Sequence, residues 1–154
     1  MSNDDQQDQP QFNVEKIYTK DISFENPHAP ESFTTDAEPK IEMNLHVENR
    51  QVGEDYWEVA LKISVLARNS QDDKILFEIE VEQAGVFLAK HIPEEHLAAL
   101  LSVDCPAIIF PYTRQVVSQL VSDGGFMPLL LEPVNFAAIY QNNLAEQQQQ
   151  HTTH

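Results

Sequence analysis

The sequence predicts an α+β domain, a four-stranded antiparallel sheet with one face packed by C-terminal helices. Three observations carry this prediction. Four segments from Phe12 to about Gly85 alternate apolar and polar residues, the period of strands with one face on a core and one in water. Residues 105–140, CPAIIFPYTRQVVSQLVSDGGFMPLLLEPVNFAAIY, change to helical spacing. Strands gathered first and helices last give one sheet layer and one helix layer. A chain of 154 residues has room for one such domain with a moderate core.

Residues 1–11 are polar and acidic and are expected to be a disordered tail, with the folded domain over 12–145. In strand one, Phe12, Val14, Tyr18, Ile22 and Phe24 point one way. Asn13, Glu15, Thr19, Asp21, Ser23 and Glu25 point the other. Ile17 interrupts the polar side, and Lys16 and Lys20 interrupt the apolar side. Pro27 and Pro30 end the strand and start an extended crossover loop. Strand two puts Ile41, Met43, Leu45 and Val47 on one face and Lys40, Glu42, Asn44, His46 and Glu48 on the other. The chain turns at Gly53. Strand three carries Trp57, Val59, Leu61, Ile63 and Val65 inward, with Glu58, Lys62, Ser64 and Arg68 outward. After the turn RNSQDDK, strand four has Ile75, Phe77, Ile79 and Val81 inward and Glu78, Glu80 and Glu82 outward, with Gly85 at its end or at a bulge. The last three strands are close in sequence and read as an antiparallel meander.

The segment HIPEEHLAALLS begins a short helix, with Pro93, Glu94 and Glu95 in its first turn. A second helix is regular from about Pro111 to Asp123, with residues 106–110 as a kinked lead-in. Its apolar stripe is Ile109, Tyr112, Val116 and Leu120, widened by Val117 and Val121. Gly124 and Gly125 stop it. The connector FMPLLLEP is too apolar for an ordinary surface loop. Asn135 or Glu132 caps a last helix with Phe136, Ile139, Tyr140 and Leu144 on one side. Residues 146–154 are glutamine-rich and are expected to be disordered. The helical region has more apolar surface than one small subunit covers. A buried core helix with a subunit interface accounts for it, and so does a surface for a ligand or partner; the two are compatible.

Nine Lys+Arg stand against 25 Asp+Glu, a formal net charge of −16. Such a surface repels nucleic acid and anionic lipid and attracts basic protein segments. One cysteine, Cys105, fits a reducing compartment. The N-terminal stretch lacks a signal region, and no apolar run approaches the ~18 residues of a membrane span. The reading is a soluble, cytoplasmic protein. No phosphate-binding loop or zinc-protease motif occurs. His28, His46, His91, His96, His151 and His154 form no metal-ligand spacing, so neither a cofactor nor a metal is expected. Cys105 reads as a packed thiol before it reads as a nucleophile. The outer glutamates are too exposed for tuned acid–base work, and no enzyme activity is expected. Asp21, Glu25, Glu78 and Glu80 share the wet face if strands one and four are neighbours. They are either a solvated surface or a docking patch.

Two stretches, IYTKDISFENPHAP at 17–30 and the 105–140 segment quoted above, resemble the SecB protein-export chaperone family, and the EIEVEQAGVF segment between them matches as well. The resemblance spans about residues 12–145. It implies a homotetramer, a dimer of dimers, with helices sandwiched between sheets. It implies an ATP-independent holdase that binds unfolded precursor proteins and delivers them to the SecA motor ATPase, without nucleic acid and without inserting into the membrane. Carried over by position, the SecA contact falls on Asp21, Glu25 and Glu80, with Glu78 where the family often has an apolar residue. The client surface falls on Phe33, Ile41, Met43, Leu45, Tyr140 and Leu144. Ala37 stands where an aromatic is sometimes found. The alternative within the resemblance is a SecB-like chaperone dedicated to one partner such as an antitoxin.

The physical chemistry is consistent with a holdase. One Leu-, Ile- or Phe-sized anchor taken from water contributes roughly 1.5–3 kcal/mol, while ordering a bound chain costs roughly 1–2 kcal/mol per residue. Useful affinity therefore needs many sites on one client, which an oligomer supplies. Met43 and Met127 add adaptable surface, although core packing accounts equally for Ile41 and Met43.

Overall fold

The computed structural model describes residues 8–152. Strands β1 (Gln11–Glu25), β2 (Pro39–Gly53), β3 (Tyr56–Asn69) and β4 (Ile75–Lys90) form one sheet. Its order is β1-β4-β3-β2, antiparallel at every pair. The expected meander is present, and β1 returns beside β4. Because β1 and β2 are the opposite edges, the loop over 26–38 crosses the end of the sheet. It contains a 3-10 turn, Glu31–Phe33. It is pinned by side chains: Ser32 Oγ donates to Asn26 Oδ1 at 3.0 Å, and Asn69 Nδ2 donates to Thr35 Oγ1 at 2.9 Å.

Two register shifts in β1, between Val14 and Lys16 and between Thr19 and Asp21, correct the reading of that strand. Each adds one residue and so reverses which parity faces the core. The core side becomes Phe12, Val14, Ile17, Thr19, Ile22 and Phe24, opposite Ala89, Phe87, Gly85, Gln83, Val81 and Ile79. Tyr18, expected inward, faces out opposite Ala84, and Lys16 faces out opposite Val86. The three residues that broke the alternation are the mark of the two bulges. Gly85 does not end β4, which runs on to Lys90. It lies mid-strand because a Cβ there would be 2.9 Å from both Ile17 and Phe87.

The helical segment Glu94–Asp123 is unbroken. It comprises α1 (Glu94–Ala99), a π turn (Leu100–Asp104) and α2 (Cys105–Asp123). The kinked lead-in before Pro111 is thus a helix that starts earlier. Pro106 has no N–H to bond back to Ser102, and the wider π turn lies where that bond is missing. Pro111 orphans the carbonyl of Ala107, but both residues are exposed and water can bond it. By length and composition this segment is apolar enough to cross a membrane, contrary to the sequence reading. In the fold it is the core helix. Cys105, Ile109, Thr113, Val117 and Val121 are buried on the sheet, against Val59, Leu61, Ile63, Val65, Ile79 and Val81. The buried stripe is therefore centred one residue beyond the expected one, and Tyr112 is 49% exposed.

The two glycines that end α2 have different reasons. Gly125 has φ 92, and Phe126 N–H reaches back to Val121 C=O at 3.1 Å, a helix stop that needs a left-handed residue. Gly124 has ordinary helical angles, but a Cβ there would lie 2.2 Å from the Phe24 ring. After the connector, α3 (Phe136–Thr152) begins at Asn135, whose Oδ1 accepts from Ala138 N–H at 3.0 Å; of the two candidate caps, Asn135 is the one used. The helix runs to Thr152, through residues for which the sequence predicts a disordered tail. Alanine, glutamate and glutamine are good helix formers, so the packed first turns propagate. Of the expected N-terminal tail, residues 1–7 lie outside the described part, and Asp8–Pro10 are a turn leading into β1.

Candidate binding surfaces

The sheet has an open face and a core face, and each carries one candidate site. On the open face the ladder places Asp21 opposite Glu82, Ser23 opposite Glu80, and Glu25 opposite Glu78. Asp21, Glu25, Glu78 and Glu80 are therefore one patch on neighbouring strands, all four exposed. Glu82 extends it and was not among the expected residues. The next positions on β3 are Lys62, Ser64 and Leu66, opposite Glu82, Glu80 and Glu78. The patch is thus acidic on β1 and β4 and gives way to mixed residues on β3. Like charges placed directly opposite destabilise a sheet. None of these five acids makes an ion pair among the described residues.

Beside the patch lies a polar cluster that alternation alone does not reveal. Glu58 faces the open side of β3 yet is 7% exposed. The Tyr18 hydroxyl donates to its Oε2. Lys20 Nζ at 3.2 Å and Arg50 Nε at 3.0 Å donate to its Oε1. The Tyr18 hydrogen bond, helped by Arg50 and Lys20 and opposed by burial, holds the Glu58 carboxyl down to about 2. Burial first, then the bond to Glu58, pushes the Tyr18 hydroxyl up to about 12. Both values lie far from neutrality, the reverse of what proton transfer at pH 7 requires. Burial, with Asp104 adding, likewise pushes the Cys105 thiol up to about 12, which suits a packed thiol and not a nucleophile.

On the core side, the helices leave an apolar groove of about 390 Å³ beside edge strand β2. Phe33, Ala37 and Ile41 line it on one side, and Phe126, Met127 and Leu129 on the other. Phe33 lies 5.2 Å from Phe126, and Phe126 lies 4.9 Å from Phe77, ring centre to ring centre. Ile41, Met43 and Leu45 lie on the core face of β2, opposite Ala67, Val65 and Ile63. Ile41 and Met43 remain 37% and 38% exposed, because the helices stop short of this edge. So Phe33 and Ile41 share the groove, and Met43 and Leu45 continue its wall. Tyr140 and Leu144 do not line it; they belong to α3, which packs on the π turn. Sequence reasoning left out Phe126 and Leu129, although the apolarity of FMPLLLEP was the signal.

Comparisons with known proteins agree in direction. Residues 5–148 match the family model of SecB, the preprotein translocase subunit. The protein-export protein SecB of Desulfotalea psychrophila is 47% identical over 150 residues, 97% of this chain and 96% of that protein. Its counterpart in Magnetococcus marinus is 48% identical over 139 residues, 90% of this chain and 87% of that one. Among solved structures, a SecB-like chaperone of Mycobacterium tuberculosis, in complex with a peptide from an antitoxin, superposes with a TM-score of 0.66. That likeness covers 80% of this chain and 90% of the other at 18% identity, and it shows the fold.

Proposed function

We infer that this chain, which belongs to the SecB family, is a protein-export chaperone whose two sites divide the work between capture and handover. Unfolded precursor chains lie in the apolar groove and along β2, on Phe33, Ile41, Met43 and Leu45, with Tyr140 and Leu144 as a further apolar contact on α3. The SecA motor ATPase docks by a basic segment on Asp21, Glu25, Glu78 and Glu80. The observation that supports this most directly is that the groove and the acid patch are on opposite faces of one sheet. A client and a basic partner can then be held at the same time, and neither has to displace the other to bind.

The working form is a homotetramer, a dimer of dimers, acting in the cytoplasm before the client crosses the membrane. Support for assembly comes from apolar surface that one subunit leaves open: Tyr112 on the outer side of α2, and Met127 and Leu130 on the connector, the last two at 88% and 70% exposed. Several grooves on one particle bind a long client at high effective concentration, which is what weak individual contacts need. Binding and release are ATP-independent in this reading, and neither metal nor cofactor takes part. The alternative of dedication to one antitoxin gains no support from the mycobacterial likeness, which is at the level of fold.

Native mass spectrometry of the protein alone, and then with a reduced, unfolded precursor, tests the proposal. A four-subunit mass that retains the precursor is expected. A lone subunit that ignores unfolded polypeptide would overturn it.

A further inference from the structure

Glu58 is nearly enclosed on a face that is otherwise wet, and its three partners come from two other strands, β1 and β2. Tyr18 and Lys20 belong to β1, which β4 separates from β3. Tyr18 reaches across diagonally: its own β4 partner is Ala84, which in turn faces Ala60, so only methyl groups lie beside the path, while Glu58 itself stands opposite Val86. Lys20 is the residue that the second bulge adds to β1. It therefore stands on the open face beside Asp21, where strict alternation would have put it on the core side.

A lysine in this place has two destinations. Its ammonium, on a flexible four-carbon stem, can rest on Glu58 or on the carboxylates of Asp21 and Glu82, which face each other in the ladder. An exposed pair is weak and screened by salt, whereas an enclosed carboxylate that also accepts from Tyr18 and Arg50 offers a stronger site. In the structure Lys20 is on Glu58, at 3.2 Å.

We propose that Glu58 is a positioning residue for the acidic surface: it sequesters Lys20 and so leaves Asp21 uncompensated for a basic partner segment, beside Glu82, which has Lys62 across the ladder on its other side. This rests on the reading of that surface as the SecA docking site. Glu58 does not touch the partner. It acts by deciding where the one lysine next to Asp21 spends its charge, and Glu82 joins the four acids named above.

The test is calorimetric titration of the intact oligomer with SecA, and separately with a reduced unfolded precursor, at several salt concentrations. Glu58→Gln keeps an oxygen for the Tyr18 hydroxyl and removes the charge that holds Lys20. SecA affinity is expected to fall about three- to fivefold, the scale of one exposed ion pair, with a shallower salt dependence and unchanged precursor affinity. Adding Lys20→Met to Glu58→Gln should restore both the affinity and the salt slope. Glu58→Asp, which keeps the charge, should retain most of the affinity. The proposal falls if Lys20→Met gives no rescue, if Glu58→Asp loses as much as Glu58→Gln, or if both ligands weaken alike. Asp21→Lys separates the two levels. If it binds SecA normally, the docking reading fails; if it loses SecA while Glu58→Gln does not, only the role of Glu58 fails.

Discussion

Glu25 and Glu78 stand directly opposite each other across the β1–β4 ladder, both exposed, with neither paired to a cation among the described residues. A sheet selected for stability alone would put an opposite charge or a β-branched residue at one of these positions. Replacing Glu78 by Gln is therefore expected to stabilise the fold by about 0.2–1 kcal/mol. Urea unfolding at low and high salt checks it. The gain should shrink as salt rises, and a destabilised variant would mean that Glu78 is stabilised by its neighbours rather than repelled by Glu25.

Charge reversal on the same patch should separate the two binding activities. Asp21→Lys or Glu80→Lys is expected to lower SecA affinity tenfold or more, about 1.4 kcal/mol, while precursor affinity stays nearly the same. If SecA docks on this patch as proposed, the charge of Glu78 makes the contact more electrostatic. Its affinity should fall steeply with salt. Titrations that lose both ligands equally would reject separate sites.

In the groove, Phe33 is the anchor whose removal tests capture. Its ring is half exposed and rests on Phe126, so truncation leaves the core beneath largely intact. Phe33→Ala is expected to weaken precursor binding by about 1–2 kcal/mol, with a smaller change in unfolding midpoint. Competition between variant and wild-type protein for one fluorescent precursor measures the first quantity, and urea unfolding the second. Unchanged precursor affinity would place the client elsewhere.

Much of this was legible in the residues. The alternation of β2, β3 and most of β4 gave the correct faces, and the acids at Glu78 and Glu80 followed from it. Ile75, expected inward, instead stands opposite Arg68 on the open side, because a bulge at Leu76 shifts the start of β4 and buries Leu76 in its place. The faces of β1 were readable only in outline. Ile17, Lys16 and Lys20 signalled an irregularity, but where a bulge lies depends on pairing with β4, which is a long-range contact. The Tyr18–Glu58–Lys20 cluster was invisible for that reason, as was Glu82 opposite Asp21. The groove was half legible: Phe33 and Ile41 came from resemblance, whereas Phe126 and Leu129 needed the connector to fold back over the crossover loop. The extent of the helices was underestimated at both prolines, since a π turn and exposed carbonyls accommodate what local rules forbid.

Thr113 shows a further cost that the helical stripe concealed. It is fully buried at the centre of the α2 core face, and its hydroxyl has no hydrogen-bond partner among the described residues. A buried unsatisfied hydroxyl costs about 1–3 kcal/mol. Thr113→Val keeps the shape and removes the polar atom, so it is expected to raise stability by about 1 kcal/mol. A fall in unfolding free energy would mean that the hydroxyl is bonded inside the subunit, to a buried water or a helix carbonyl.

The Glu58 cluster also sets a pH dependence with a definite sign. Its carboxyl is held at about 2 against an ordinary 4.5, with the Tyr18 hydrogen bond the largest cause. Between these values the unfolded chain binds a proton that the folded chain does not, so lowering the pH favours unfolding. The contribution is complete above about pH 4.5 and is lost as pH falls towards about 2. Tyr18 works at the other end. Its pKa is raised from 10.0 to about 12, so its contribution is complete below about pH 10 and is lost as pH rises through about 12. Other carboxylates titrate in the acid window too, so the informative quantity is a difference. The gap in melting temperature between wild type and Glu58→Gln should be widest near pH 6 and should close towards about pH 2.5. A gap that stays constant across that window would mean that the carboxylate charge of Glu58 contributes nothing, and that Tyr18, Lys20 and Arg50 gather there for packing alone.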